Sequence, residues 1–224
     1  MGPNARFTYK LLTQLLNSGF YRLFLVSTMF EDTNTKAVSA EAMGTFFLVF
    51  IGLSAFVTLG GGFGGAFAFG VTLMVLMHVM GPISGCHLNP AVSIGNFMSN
   101  KMSQDDTIAY VLAQIAGAFI AFAAIAEAPF GMDANIAFLG AAAVGTAFFV
   151  IVLLSTSDPW AVGGALFVVS TLAYGDVNPG ILAGDGINTV VLAKETINDS
   201  ALYAMVGGVI GAVAGWAVKD NVLD

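Results

Sequence analysis

The sequence predicts an all-α membrane protein: six transmembrane helices plus two re-entrant half-helices, built as an inverted repeat. Three observations predict it. Of the 224 residues, 57% are hydrophobic and only 9% are charged, where a soluble domain carries about a quarter charged residues. An Asn-Pro pair interrupts apolar sequence twice, at Asn89-Pro90 and at Asn178-Pro179, once in each half. Six of the seven basic residues fall on one side of a six-span topology, Lys194 being the exception.

The elements follow in order. Residues 1–37 place Phe7, Leu11, Leu12, Leu15 and Leu16 at helical spacing beside Arg6, Lys10 and Arg22. That pattern is either an amphipathic cytoplasmic arm on the membrane surface or a partly ordered tail. The channel domain is expected over 38–219, and 220–224 form a short tail. A first span covers 38–59, and the glycine-rich Gly60–Gly65 makes a turn. A second covers 66–82. The loop and half-helix of 84–98 are too short to cross a bilayer. A polar link, Ser99–Thr107, leads to the third span at 108–128, and the fourth follows at 136–155. The fifth covers 160–174, a second dip lies near 175–187, and the sixth span covers 201–218. Gly207, Gly211 and Gly215 recur every fourth position in the last span, with Gly163 and Gly164 in the fifth. Such spacing lets helix backbones approach closely.

With six spans both termini share one face. Arg6, Lys10, Arg22, Lys36, Lys101 and Lys219 lie on it, and the positive-inside rule makes it cytoplasmic. The expected location is the cell membrane, with the lipid bilayer as surroundings. The seven basic residues form no stripe, which argues against nucleic acid. The single cysteine, Cys86, excludes an internal disulfide and a zinc cage. No set of nucleophile, base and orienting group appears, so an enzyme is the weakest reading, and no cofactor is expected.

Asn89 and Asn178 are the residues on which a function can rest. Asparagine caps a helix, and the proline after it suits the first helical position because its missing N–H is not needed there. Two half-helices meeting end to end would bring their positive N-termini together at the midplane. Each asparagine oxygen caps its own helix and leaves NH2 donors for the lumen. A passing water can accept from both, cations are repelled, and proton hopping is interrupted.

Ser84-Gly85-Cys86-His87-Leu88-Asn89-Pro90-Ala91-Val92 resembles the first signature of the aquaporin (major intrinsic protein) family. Ala40-Glu41-Ala42-Met43-Gly44-Thr45 resembles its first-span motif. Tyr110 to Ala118, with Gln114 and Gly117, resembles its third span, and Val206-Gly207-Gly208 with Gly211 its sixth. The resemblance covers about 38–219. It implies a homotetramer with one pore per subunit, passing water or small neutral solutes (glycerol, urea, ammonia). It also implies that Glu41 braces the backbone of a re-entrant loop. The pore motifs would be Asn89, Pro90 and Ala91 with Asn178, Pro179 and Gly180.

The second signature departs from the family's Asn-Pro-Ala-Arg. Ile181 stands where the filter arginine would be, and Leu182 where glycerol-conducting relatives carry Asp. Counting from the motifs places Phe69, Ser170 and Gly175 at the other filter positions. An isoleucine in place of arginine removes a fixed cation and several donors, leaving a wider, more apolar mouth. The fourth-span counterpart of Glu41, four before Thr146, is Ala142. His87 is expected to bond loop backbone. Cys86 either faces the inner vestibule as a pore thiol or is a small buried residue. His78 either lines the pore or is structural. Asp176 either adds a charge at the outer mouth or is an exposed loop residue.

Two other classes compete with a passive channel. A coupled transporter needs intramembrane ionisable groups, and Glu41 is the one clear candidate. A junction or scaffold protein with low conductance would tolerate the altered second signature.

Overall fold

A computed structural model describes residues 32–59, 62–124, 136–171 and 199–223. The chain divides into two compact units, 1–34 and 35–224, and every element below belongs to the second. The arm expected over 1–37 lies outside the described residues as far as residue 31. The described residues are helical throughout, without strands. In chain order the helices are α1 (Thr35–Thr58), α2 (Gly62–Ser84), α3 (Pro90–Met98), α4 (Gln104–Ala124), α5 (Ile136–Ser155), α6 (Pro159–Thr171) and α7 (Asp199–Val218). A short π-helical turn, Lys219–Leu223, follows α7.

Among the described residues, two segments, Thr35–Ala55 and Phe63–Ser84, are long and apolar enough to cross a bilayer by themselves; Ala143–Ser155 within α5 and Pro159–Thr171 are shorter apolar stretches. Their outer faces carry Met43, Phe47, Ile51, Val71, Val75, Val79, Val144 and Phe148, all exposed. That arrangement suits a hydrocarbon surrounding, since lipid leaves no reason to hide such side chains.

Boundaries differ from expectation where a local group changes the helix start. The glycine stretch becomes helical from Gly62, and the Leu59 side chain lies against Gly64, where a Cβ would collide with it. The polar link before the third span ends early, at Ser103. The Ser103 hydroxyl accepts from the Asp106 N–H at 3.0 Å and donates to the Asp106 carboxylate at 2.7 Å. This reciprocal cap starts α4 at Gln104. Helix α2 also continues through Pro82 to Ser84, its last turn closing with Gly85 N–H on the Gly81 carbonyl at 2.9 Å.

The packing repeats itself between halves. Helix α1 packs on α2 and α4, while α5 packs on α6 and α7; α2 and α6 meet across the two halves. Glycines set the closest crossings. A Cβ on Gly117 of α4 would run into the Ala42 carbonyl of α1, and a Cβ on Gly211 of α7 would run into the Ala143 carbonyl of α5. Gly163 of α6 lies against the Gly70 carbonyl and Met74 of α2, whereas Gly164 faces open space and sets no crossing. The half-helix α3 rests on α4, α5 and α7, so the first half's short helix is clasped by helices of both halves. One apolar core, with Phe69, Leu73, Leu88, Val92, Phe149 and Leu166, lies between these layers.

Candidate functional site

The segment between α2 and α3 folds back by three left-handed residues. Gly85 has φ +83°, Cys86 +54° and Leu88 +50°. Glycine adopts this region freely, but for Cys86 and Leu88 it costs about 1–2 kcal/mol each. Something must hold them there, and it is Glu41.

Glu41 on α1 is fully buried. Oε1 accepts from the Ser84 hydroxyl at 2.6 Å and from the His87 N–H at 2.9 Å. Oε2 accepts from the Leu88 N–H at 2.7 Å and from Gln114 Nε2 at 2.8 Å. A carboxylate has about four acceptor positions, and all four are used. The two backbone N–H groups it takes, of His87 and Leu88, close the end of the strained turn, so the carboxylate fixes the residues that lead into the tip.

A second ring of contacts orients the first. Gln114 Nε2 also donates to Ser93 Oγ at 3.0 Å, and that hydroxyl lies 3.1 Å from His87 Nδ1. The Tyr110 hydroxyl donates to the Ser84 carbonyl at 2.9 Å, and its ring meets the His87 ring edge-on at 5.3 Å. Cys86 N–H donates to Ser84 Oγ at 3.1 Å. Four segments of chain therefore converge on one buried polar knot.

The tip follows directly. Asn89 is extended (φ −155°, ψ 123°), and its Oδ1 accepts from the Ala91 N–H at 2.8 Å. Pro90 occupies the first helical position. The carbonyl edge of the Asn89 amide is committed to the helix, so its NH2 edge is turned away from it. Asn89, Pro90 and Ala91 are all buried, and the N-terminus of α3 presents its partial positive charge at this point.

Other expected site residues fall as follows. Phe69 on α2 is 0% exposed, its ring packed on the Gly52 backbone. Ser170 on α6 is also fully buried. Cys86 is 1% exposed and belongs to the apolar core. Labelling by a mercurial should therefore be slow in the folded protein relative to the unfolded chain, as followed by intact-mass measurement. Rapid stoichiometric labelling under native conditions would place the thiol on the lumen instead. His78 is exposed on the outer face of α2 beside Val75 and Val79, and its Nδ1 lies 2.8 Å from its own helix's Met74 carbonyl. Gly175, Asp176, Asn178, Pro179, Gly180, Ile181 and Leu182 lie outside the described residues. No cluster of potential metal ligands occurs among the described residues.

Sequence reasoning missed Ser84, Ser93 and Tyr110 as members of the knot and named Gln114 only by resemblance. Their signal was present: a glutamine inside the apolar α4, and a serine one turn into α3. Polar groups within membrane helices need partners.

Comparison with known proteins agrees with this architecture. The family model "Major intrinsic protein" matches residues 28–218. Aquaporin Z of Brucella melitensis is 34% identical over 216 residues, covering 79% of this chain and 94% of that protein. Aquaporin Z of Photorhabdus laumondii is 29% identical over 217 residues, with the same coverage. Aquaporin AqpM of Methanothermobacter thermautotrophicus is 29% identical over 230 residues, covering 80% and 94%. Among solved structures, the aquaglyceroporin from Plasmodium falciparum superposes with a TM-score of 0.71 at 20% identity, covering 84% of this chain and 96% of that one. This chain therefore belongs to the major intrinsic protein family, the multi-pass membrane channels for water and small solutes.

Proposed function

We propose that the chain is a passive pore for water and small neutral solutes, proton-excluding at its paired Asn-Pro tips and permissive at its outer mouth. The observation that carries this reading is the Asn89 cap on α3, held by the Glu41 knot. A fixed amide at a helix N-terminus offers donors to a passing water and a positive field to a passing cation. The amide has no protonation change near neutral pH, so it relays no proton. Asn178 supplies the second donor in this proposal. The named relatives are aquaporins, which supports water as one permeant.

The mouth is where this chain differs. Ile181 in place of an arginine, with Ser170, Gly175 and Phe69 as its partners, makes a filter without a fixed cation. A hydroxylated or amide solute then loses no competition against a permanent charge, so glycerol, urea and ammonia are expected to pass with water. The termini are assigned to the cytoplasmic face by Lys36, Lys101 and Lys219. Lys101 Nζ reaches the Leu154 carbonyl near the end of α5 at 3.3 Å, which supports placing that helix end on the same face. The assembly proposed is a homotetramer with one pore per subunit, for which the exposed apolar helix faces leave room.

Stopped-flow swelling of liposomes holding the purified protein, under water, glycerol and urea gradients, tests the reading. Vesicles that respond like empty ones would favour the low-conductance junction protein. Flux that requires a proton or sodium gradient would favour a coupled transporter. For the filter, Ile181→Arg is expected to lower the glycerol-to-water ratio by about tenfold, the factor given by ~1.4 kcal/mol of added barrier. An unchanged ratio would remove Ile181 from the constriction.

A further inference from the structure

One side-chain atom of the polar knot, and one a turn beyond Glu41 on α1, are left without a partner among the described residues. Gln114 Oε1 and Thr45 Oγ1 are both fully buried, and neither has a hydrogen-bond partner among the described residues. Gln114 cannot simply be turned over. Its Nε2 serves Glu41 Oε2 and Ser93 Oγ, and a flip would set its oxygen against a carboxylate. The Gln114 carbonyl is thus fixed in direction by the bonds its amide nitrogen makes.

Thr45 is unusual for its setting. Several serines and threonines in these helices bond back to the carbonyl four residues earlier: Ser39 to Thr35, Thr58 to Ser54, Thr107 to Ser103 and Ser155 to Ile151. That is the ordinary way to satisfy a hydroxyl in an apolar helix. Thr45 does not take it. Its hydroxyl is one turn beyond Glu41 on the same face of α1. Gln114 is bonded to Glu41, and Gly117, one turn further along α4, lies on the backbone of Ala42 and Phe46. Thr45 and Gln114 therefore sit in adjacent layers of one helix crossing.

We propose that this crossing holds one buried water, accepting from the Thr45 hydroxyl and donating to Gln114 Oε1. Burying an amide carbonyl and a hydroxyl unpaired costs about 1–3 kcal/mol each, and internal waters characteristically occupy such places with two to four polar partners. The water would be structural and not permeant. Its role is to lock the Gln114 amide in the one orientation that feeds Glu41 and Ser93, and through them the loop that carries Asn89. The inference does not depend on which solute passes the pore.

A crystal structure of the full protein at a resolution that shows ordered water tests this. The expected result is an isolated peak within hydrogen-bond distance of both Thr45 Oγ1 and Gln114 Oε1. Thr45→Ser should keep the peak, and Thr45→Val should lose it while the Glu41 contacts to His87 and Leu88 remain. A direct Thr45–Gln114 bond, a Thr45 hydroxyl bonded to the Glu41 carbonyl, or a peak unchanged in Thr45→Val would each overturn the proposal.

Discussion

Glu41→Ala is expected to melt far below the parent protein and to lose solute flux. The carboxylate receives four donors from two separate segments, the 84–88 loop and α4, and alanine receives none. The Ser84 hydroxyl and the Gln114 amide can turn toward other partners. The N–H groups of His87 and Leu88 cannot, because Gly85, Cys86 and Leu88 hold the backbone in left-handed conformations that point them at α1. Each buried donor left without an acceptor costs about 1–3 kcal/mol, so the two fixed N–H groups alone account for about 2–6 kcal/mol. That is a large share of the roughly 5–15 kcal/mol that separates folded from unfolded protein. Glu41→Gln keeps the volume and one oxygen but turns an NH2 group toward donors, so an intermediate loss is expected. Thermal unfolding in detergent and water flux in liposomes read both effects. A Glu41→Ala protein that melts within a few degrees of the parent and conducts normally would show that the loop is held by packing alone.

Much of this architecture can be read from residue order, and the limits have physical causes. The apolar runs between Thr35 and Val218 are visible because lipid tolerates little else, and the family model matches over this range. The half-helix is visible at Asn89-Pro90 because capping is local: Asn89, Pro90 and Ala91 suffice to encode it. Helix α4 starts earlier than the polar link suggested, since Ser103 and Asp106 are both ordinary loop residues until their reciprocal cap is seen. The knot was only partly legible. Glu41, the Ser84–Ser93 stretch and Gln114 are far apart in the chain, and what brings Glu41 to Gln114 is the tertiary crossing of α1 and α4 at Gly117. Phe69 and Ser170 show a further limit. Counting from a motif gives a position along a helix but not how much of the side chain its neighbours cover, and both are fully buried.

Ala142→Glu alone is expected to be severely destabilising, and Ala142→Glu with Gly208→Gln to recover part of the loss. The ground is the repeat between halves. Gly117 lies on the Ala42 carbonyl and the Phe46 N–H, and Gly211 lies on the Ala143 carbonyl and the Ala147 N–H. Thr45 and Thr146, and likewise Ala118 and Ala212, are pairs of fully buried residues at matching positions. The register that carries Ala42 onto Ala143 carries Glu41 onto Ala142, and the register that carries Gly117 onto Gly211 carries Gln114 onto Gly208. Where the first half has a carboxylate and an amide, the second has a methyl group and a hydrogen. By this register a glutamate at 142 would lack the amide that Gln114 gives Glu41, and a buried charge without its partner costs about 3–5 kcal/mol. A glutamine at 208 would meet it as Gln114 meets Glu41. The pair should then show a favourable coupling of about 0.5–3 kcal/mol over the sum of the single variants, with Gly208→Gln as the control for added bulk. Melting of the three variants and the parent measures it. Zero coupling would mean that the helices of the second half cross in another register. A positive coupling would show that the polar brace is confined to the first half by residue choice alone, on a scaffold whose crossing geometry is the same in both.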